Sequence, residues 1–156
     1  MSRFKNWKPP AFDKDGWAYR ERIFNSYLGK YGWRVQYQDN LKLGKNVDIG
    51  CFSFLQAKEG IVIEDEVQIG GGVMIYSIDT IDNIKGKVTL RKNCKIGANS
   101  IILPRCIIGK NSVVGALSKI NFGTTIHDDE IWAGNPAHKI GYIKNNKRIY
   151  EKEKVD

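Results

Sequence analysis

An apolar residue returns every six positions through much of this 156-residue chain. Leu90, Ile96, Ile102, Ile108, Val114 and Ile120 keep the step without a slip. Upstream, Ile63, Ile69, Ile75 and Ile81 share it, as do Leu43, Ile49 and Leu55. A period of six fits neither the 3.6-residue helix nor two-residue strand alternation, so it describes a repeating structural unit. Hexapeptide repeats of this kind are the signature of a parallel β-helix, an all-β solenoid. The fifth place of each hexad is small or branched: Val47, Ser53, Val67, Val73, Cys94, Ser100, Cys106, Ser112 and Ser118. Asn46, Asn93, Asn99 and Asn111 recur at the fourth place. Asparagine tolerates left-handed backbone angles, which suits a corner repeated at every hexad. Three hexads then close one triangular coil, and the repeat predicts about four coils stacked at roughly 4.8 Å each.

The step is interrupted twice. Leu55 to Ile63 is eight residues, which places two inserted residues around Lys58-Glu59-Gly60. Ile81 to Leu90 is nine, which places three in the stretch DNIKGKVT. Insertions in solenoids become loops on one face and often build the binding site. Residues 1–41 lack the repeat and read as an N-terminal cap. In them Trp17, Ile23, Phe24, Tyr27, Leu28 and Tyr31 fall near helical spacing, with Asp15 as N-cap and Gly29 or Gly32 as stop. Trp33, Val35 and Tyr37 alternate with polar residues as a half-buried strand does. Residues 42–121 form the β-helix. Beyond Ile120 the period breaks: residues 121–130 read as a loop, and Ile131 onward as a C-terminal cap ending in a solvated basic tail, so that 122–156 is loop and tail.

Composition narrows the functional classes. Twenty-five basic residues against seventeen acidic ones give a net charge of +8, which suits anionic ligands. The basic residues are spread along the chain and match no nucleic-acid module, so no nucleic-acid partner is expected. The three cysteines show no CxxC spacing, and Cys94 and Cys106 occupy the filler place of the hexad, which argues for core residues rather than disulfides or a metal site. No stretch approaches the roughly 18 apolar residues of a membrane span, and the N-terminus has no signal-like apolar segment, so the reading is cytoplasmic.

The stretch IGANSIILPRCIIGKNSVVGALSKI followed by IWAGNPAHKI resembles the hexapeptide-repeat acyltransferases, over about residues 43–142. These left-handed β-helix enzymes move an acetyl group from acetyl-CoA to a hydroxyl or amino group. The resemblance implies a left-handed coil, a homotrimer and an acetyl-CoA groove between neighbouring prisms. It places the cofactor along Gly97-Ala98 and Gly115-Ala116, where small side chains let the pantetheine arm approach the backbone. The basic residue that follows the family's GNPA segment falls on His138 or Lys139, suited to CoA phosphates. Lys119 stands near the place where relatives have Thr-Lys, with an apparent two-residue insertion. The acceptor class implied is a sugar or nucleotide-linked sugar in glycan precursor biosynthesis. The β-helix carbonic anhydrases need three histidines around zinc; this chain has two, in unsuitable places, so no metal is expected.

One family feature is missing. The usual catalytic base is a histidine in the loop matching Ile75 through Val88, but that stretch reads IYSIDTIDNIKGKV. His127, in TTIHDDE, reads as an exposed loop residue, and His138 as a ligand contact. The loop instead offers Asp79 and Asp82, three apart, as candidate catalytic carboxylates. A carboxylate is a weak base for an alcohol unless burial raises its pKa. It can still orient an amine that arrives neutral, which points toward an amino-sugar acceptor. The same aspartates also suit a plain turn, and the absent histidine keeps open a β-helix scaffold that has lost catalysis.

Overall fold

The computed structural model describes residues 31–151 and the backbone of Ser26–Leu28. The hexads become the three faces of a left-handed parallel β-helix. Face one stacks Arg34–Gln36, Phe54–Gln56, Met74–Tyr76, Ile101–Ile102 and Lys119–Ile120. Face two stacks Leu41–Leu43, Ile61–Ile63, Val88–Leu90, Ile107–Ile108 and Thr125–Ile126. Face three stacks Asp48–Ile49, Gln68–Ile69, Lys95–Ile96, Val113–Val114 and Glu130–Gly134. The result is five coils of three strands.

Stacking converts the six-residue step into vertical apolar columns. Val35, Leu55, Ile75, Ile102 and Ile120 form one, all buried. Each such side chain contributes about 1.5–3 kcal/mol on burial. Fifth-place residues fill the space behind the corners: Val67, Val73, Cys94, Ser100, Cys106, Ser112 and Ser118 are buried. The serines are tolerated there because each hydroxyl is spent. Ser100 and Ser118 donate to the Gly115 carbonyl at 3.0 and 2.7 Å, and Ser112 donates to that of Gly109 at 2.6 Å. The fourth-place asparagines adopt φ of 55–57°, as expected, and Phe52, Glu66, Arg105, Leu117 and Asp129 take the same left-handed angles at other corners. The corner geometry is imposed by closure of the coil, and asparagine is only its least strained occupant.

The structure corrects several sequence expectations. The parallel ladders begin at Arg34, eight residues before position 42, because Val35 to Leu43 is an eight-residue step like Leu55 to Ile63. They also run past residue 121: the expected loop over 121–130 carries the strand Thr125–Ile126, whose Ile126 is fully buried, and Trp132 aligns with Val114. Ile81 keeps the six-residue step but is 91% exposed, so it belongs to the insertion rather than the core. Ile75 to Leu90 is therefore fifteen residues where the step is six, an insertion of nine. At the N-terminus Ser26–Leu28 is a strand antiparallel to Arg34–Gln36, so Tyr27 and Leu28 do not continue a helix. Asp15, Trp17, Ile23 and Phe24 lie outside the described residues. Val35 is buried as the strand reading requires, but Tyr37 sits in a turn at φ 58°. The basic tail is not a frayed end as far as Tyr150: Lys147–Tyr150 pairs antiparallel with Ala137–Lys144, which pairs with Glu130–Gly134, extending face three into a C-terminal hairpin. Among the described residues no helix is long and apolar enough to cross a membrane.

Candidate functional site

The corner joining face three to face one holds a column of glycines: Gly50, Gly70, Gly97 and Gly115. A Cβ on Gly70 would lie 2.7 Å from the amide nitrogen of Ala98, and one on Gly97 would fall onto that of Ala116. The amides of Gly97 and Gly115 donate to Val114 and Trp132 carbonyls, both at 2.8 Å. Gly50, Gly70 and Gly97 are thus required by close stacking of successive coils, whereas a Cβ on Gly115 would approach Ala133 Cβ at 3.0 Å. The next column, Gly71, Ala98 and Ala116, differs: its backbone N–H groups donate no hydrogen bond among the described residues.

The corner between faces two and three shows what normally happens at that place. There the amide of Lys45 donates to Asp65 Oδ1 at 2.7 Å, that of Lys92 to Glu64 Oε2 at 2.8 Å, and that of Lys110 to Asp128 Oδ1 at 2.7 Å. A carboxylate from an adjacent coil caps each otherwise orphaned donor. At the face three–one corner the residues are too small to do so. Three donors remain unspent in a row, one per coil, about 4.8 Å apart.

This row borders a groove of about 420 Å³ along face three. Gly97-Ala98 and Gly115-Ala116 form one side, while Lys95 rises from the floor and Arg148 reaches in from the C-terminal hairpin. Lys95 and Arg148 form no ion pair among the described residues. The sequence reading did not single them out. Lys95 was accessible in principle, since the residue before each core isoleucine must face outward. Arg148 was not, because its place depends on how the hairpin folds back.

The other expected anion contacts lie outside the lining of this groove. Lys119 is half-buried at the start of its face-one strand, beside Ile101. Lys139 is matched by Glu130 at 3.3 Å and Glu151 at 3.9 Å, so its charge is spent within the cap. His138 is exposed on the same strand. Partial burial pushes the Glu130 carboxyl up, but the Trp132 indole N–H, the His127 amide and Lys139 outweigh it and hold it below its ordinary 4.5. His127 is largely exposed, its Nδ1 3.8 Å from Glu130, at the corner between faces two and three.

The insertion is a β-hairpin rising from the corner between faces one and two. Ile78–Asp79 pairs antiparallel with Ile84–Lys85, and Thr80 to Asn83 form the turn. Asp79 Oδ1 accepts from the Ile81 amide at 2.8 Å, so one oxygen shapes the turn while Oδ2 has no partner among the described residues. Asp82 is exposed in the turn itself. The neck is anchored by Ser77, fully buried, whose hydroxyl donates to the Gln56 carbonyl at 2.7 Å and accepts from the Glu59 amide at 2.9 Å. Among the described residues, no three His, Cys, Asp or Glu side chains gather as a metal site.

Comparison with known proteins adds the following. Residues 87–122 match the bacterial transferase hexapeptide (six repeats) family, and residues 41–77 the hexapeptide repeat of succinyl-transferase. The chain is 28% identical over 135 residues to a delta-poly-L-ornithine synthetase of Acinetobacter baumannii, covering 85% of this chain and 10% of that protein. It is 22% identical over 135 residues to the carnitine operon protein CaiE of Escherichia coli, covering 84% and 61%. With a galactoside O-acetyltransferase of Lactococcus lactis it shares 30% identity over 109 residues, 60% of this chain and 52% of that one. The chain thus spans less than two thirds of each of these relatives. A hexapeptide-repeat acetyltransferase of Vibrio cholerae superposes with TM-score 0.68 at 20% identity, over 86% of this chain and 84% of that one. A variant of AntD, an N-acyltransferase from Bacillus cereus, solved with dTDP and coenzyme A, superposes with TM-score 0.61 at 25% identity, over 76% and 81%. By its repeats the chain is similar to the hexapeptide-repeat families of bacterial transferases, and by its coil it shares their fold.

Proposed function

We propose that the protein is an acetyl-CoA-dependent transferase that acylates an amino group on a nucleotide-linked sugar. The observation that carries this reading is the row of unspent N–H groups at Gly71, Ala98 and Ala116 beside a groove with two unpaired cations. Amide carbonyls of a pantetheine arm are acceptors that suit such a row, and Lys95 and Arg148 suit the phosphates at its far end. In this reading they take the role that the family resemblance implies for Lys119, His138 and Lys139. The V. cholerae enzyme has been solved with acetyl-CoA, and a point mutant of AntD with dTDP-4-amino-4,6-dideoxyglucose and coenzyme A, which supports the same pair of ligand classes here.

The chemistry follows from what the hairpin offers. A neutral amine attacks the thioester carbonyl with its own lone pair, forming the C–N bond. Collapse of the tetrahedral intermediate breaks C–S, and the nitrogen's excess proton leaves with the thiolate, giving amide and free thiol. Asp79 Oδ2 accepts a hydrogen bond from the amine and orients it. A hydroxyl acceptor needs deprotonation during attack, and the hairpin holds no imidazole for that. Hairpin and groove lie at opposite edges of face one in a single protomer, so the reading includes a homotrimer that sets one copy's hairpin against the next copy's groove. The reading includes a cytoplasmic location, where both proposed substrates would be at hand.

The absent histidine also favours a second reading, a β-helix scaffold without catalysis. Thiol release from acetyl-CoA, measured with a panel of amino and hydroxy sugars and their nucleotide-linked forms, separates the two. Release with amino sugars alone supports the proposal. Acetyl-CoA binding in calorimetry without release for any acceptor supports the scaffold, and absence of binding removes the cofactor assignment.

A further inference from the structure

Arg105 occupies a left-handed corner at φ 66°, a place that the repeat fills with asparagine or glycine at some corners and with Phe52, Glu66, Leu117 or Asp129 at others. A long side chain in a left-handed conformation is costly, about 1–2 kcal/mol, and at Arg105 a side-chain contact offsets part of that cost. Its Nε–H donates to the Lys85 carbonyl at 2.7 Å, at the foot of the hairpin's second strand. Its own amide approaches the Gly86 carbonyl at 3.4 Å. Gly86 has no room for a side chain, because a Cβ there would fall onto Arg105 Cγ. Gly86 in turn donates to the Ser77 carbonyl at 2.9 Å, closing the neck.

The hairpin is therefore gripped from two coils at once. Ser77 ties its first strand to Gln56 and Glu59 in the second coil, and Arg105 ties its second strand to the fourth. Without the guanidinium, the strand Ile84–Lys85 is held, among the described residues, by its two-residue pairing with Ile78–Asp79, by the Gly86 amide and by the long contact between the Gly86 carbonyl and the backbone amide of residue 105. Such a short ribbon is marginal alone. Arg105 itself lies in the turn after Ile101–Ile102, on the opposite edge of face one from Ala98 and Ala116.

We propose that Arg105 is a positioning residue for the acceptor. By fixing the hairpin foot it sets where Asp79 stands, and so governs binding of the amino sugar without touching acyl-CoA. This rests on the acyl-transfer reading above. The test compares wild type, Arg105→Ala and Arg105→Lys by acceptor KM, kcat, acetyl-CoA affinity in calorimetry, and amide exchange at Ile84 to Gly86. Loss of one charge-assisted hydrogen bond corresponds to about ten- to a hundredfold. Arg105→Ala is expected to raise acceptor KM by that factor and to speed exchange at the foot, with acetyl-CoA affinity unchanged. Arg105→Lys, which keeps a cationic donor, recovers part of the loss. Wild-type acceptor KM in Arg105→Ala, or an equal loss of acetyl-CoA affinity, overturns the positioning role. If wild type transfers nothing to any amino sugar, the functional reading fails and this one with it.

Discussion

Gly97 lines the groove and also marks where two coils stack closely. Its place invites a cofactor interpretation, yet a Cβ there would fall onto the Ala116 amide of the next coil. Gly97→Ala should therefore lower stability by about 1–3 kcal/mol, visible as an earlier denaturant midpoint, whether or not ligand is bound. The corner column supports a stabilising change as well. Glu66 sits at φ 62°, and its one ion pair, to Lys92 at 3.9 Å, is exposed at both ends. Relief of left-handed strain outweighs a surface pair worth a few tenths, so Glu66→Asn should gain roughly 0.5–1 kcal/mol in the same measurement. Thiol chemistry separates the filler places from the surface. Burial pushes Cys94 up to about 12 and Cys106 up to about 11, whereas Cys51 is exposed. An alkylating reagent at mildly alkaline pH should label the native protein at Cys51, and all three cysteines only after denaturation. The role of each filler cysteine was legible in the hexad; the reason for Gly97 was not, because it belongs to the backbone of another coil.

The insertion hairpin and the C-terminal hairpin depart from the regular coil, and each is held by identifiable contacts. The C-terminal hairpin is pinned by Glu130, which accepts from Trp132 Nε1 and the His127 amide and faces Lys139. Because its folded pKa lies below 4.5, the stability it supplies is fully present above the unfolded carboxylate pKa and is lost as pH falls through the lower folded value. Urea midpoints measured from about pH 7 to about pH 3 should fall on the acid side, and Glu130→Gln should flatten that fall while lowering the neutral-pH midpoint. The insertion hairpin was visible in sequence as a break in the step, but its size was not. Ile81 lies six residues after Ile75 by coincidence of loop length, and it is exposed rather than stacked. Periodicity reports spacing along the chain, and only burial distinguishes a core isoleucine from one at the tip of a turn.

As a whole the molecule is a stack in which each coil touches only its neighbours, so parts outside the stack can be removed without unravelling it. Replacing residues 78–85 by a short turn should leave the melting temperature within about 3 °C, keep acetyl-CoA affinity, and abolish transfer to the acceptor. A fall in affinity of the same size as the loss of transfer would mean that hairpin and groove are not separate functions. The six-residue step by itself determined the coil, the filler places and the left-handed corners, because each is a local demand that every repeat must meet with its own residues. Tertiary structure alone decided where the coil starts and stops, since Val35 and Ile126 count as core only when a neighbouring strand stacks on them. It also decided which corner keeps its amides free and which cations reach the groove. Those properties depend on side chains contributed across coils, such as Asp65 capping Lys45, or across the C-terminal hairpin, as with Arg148.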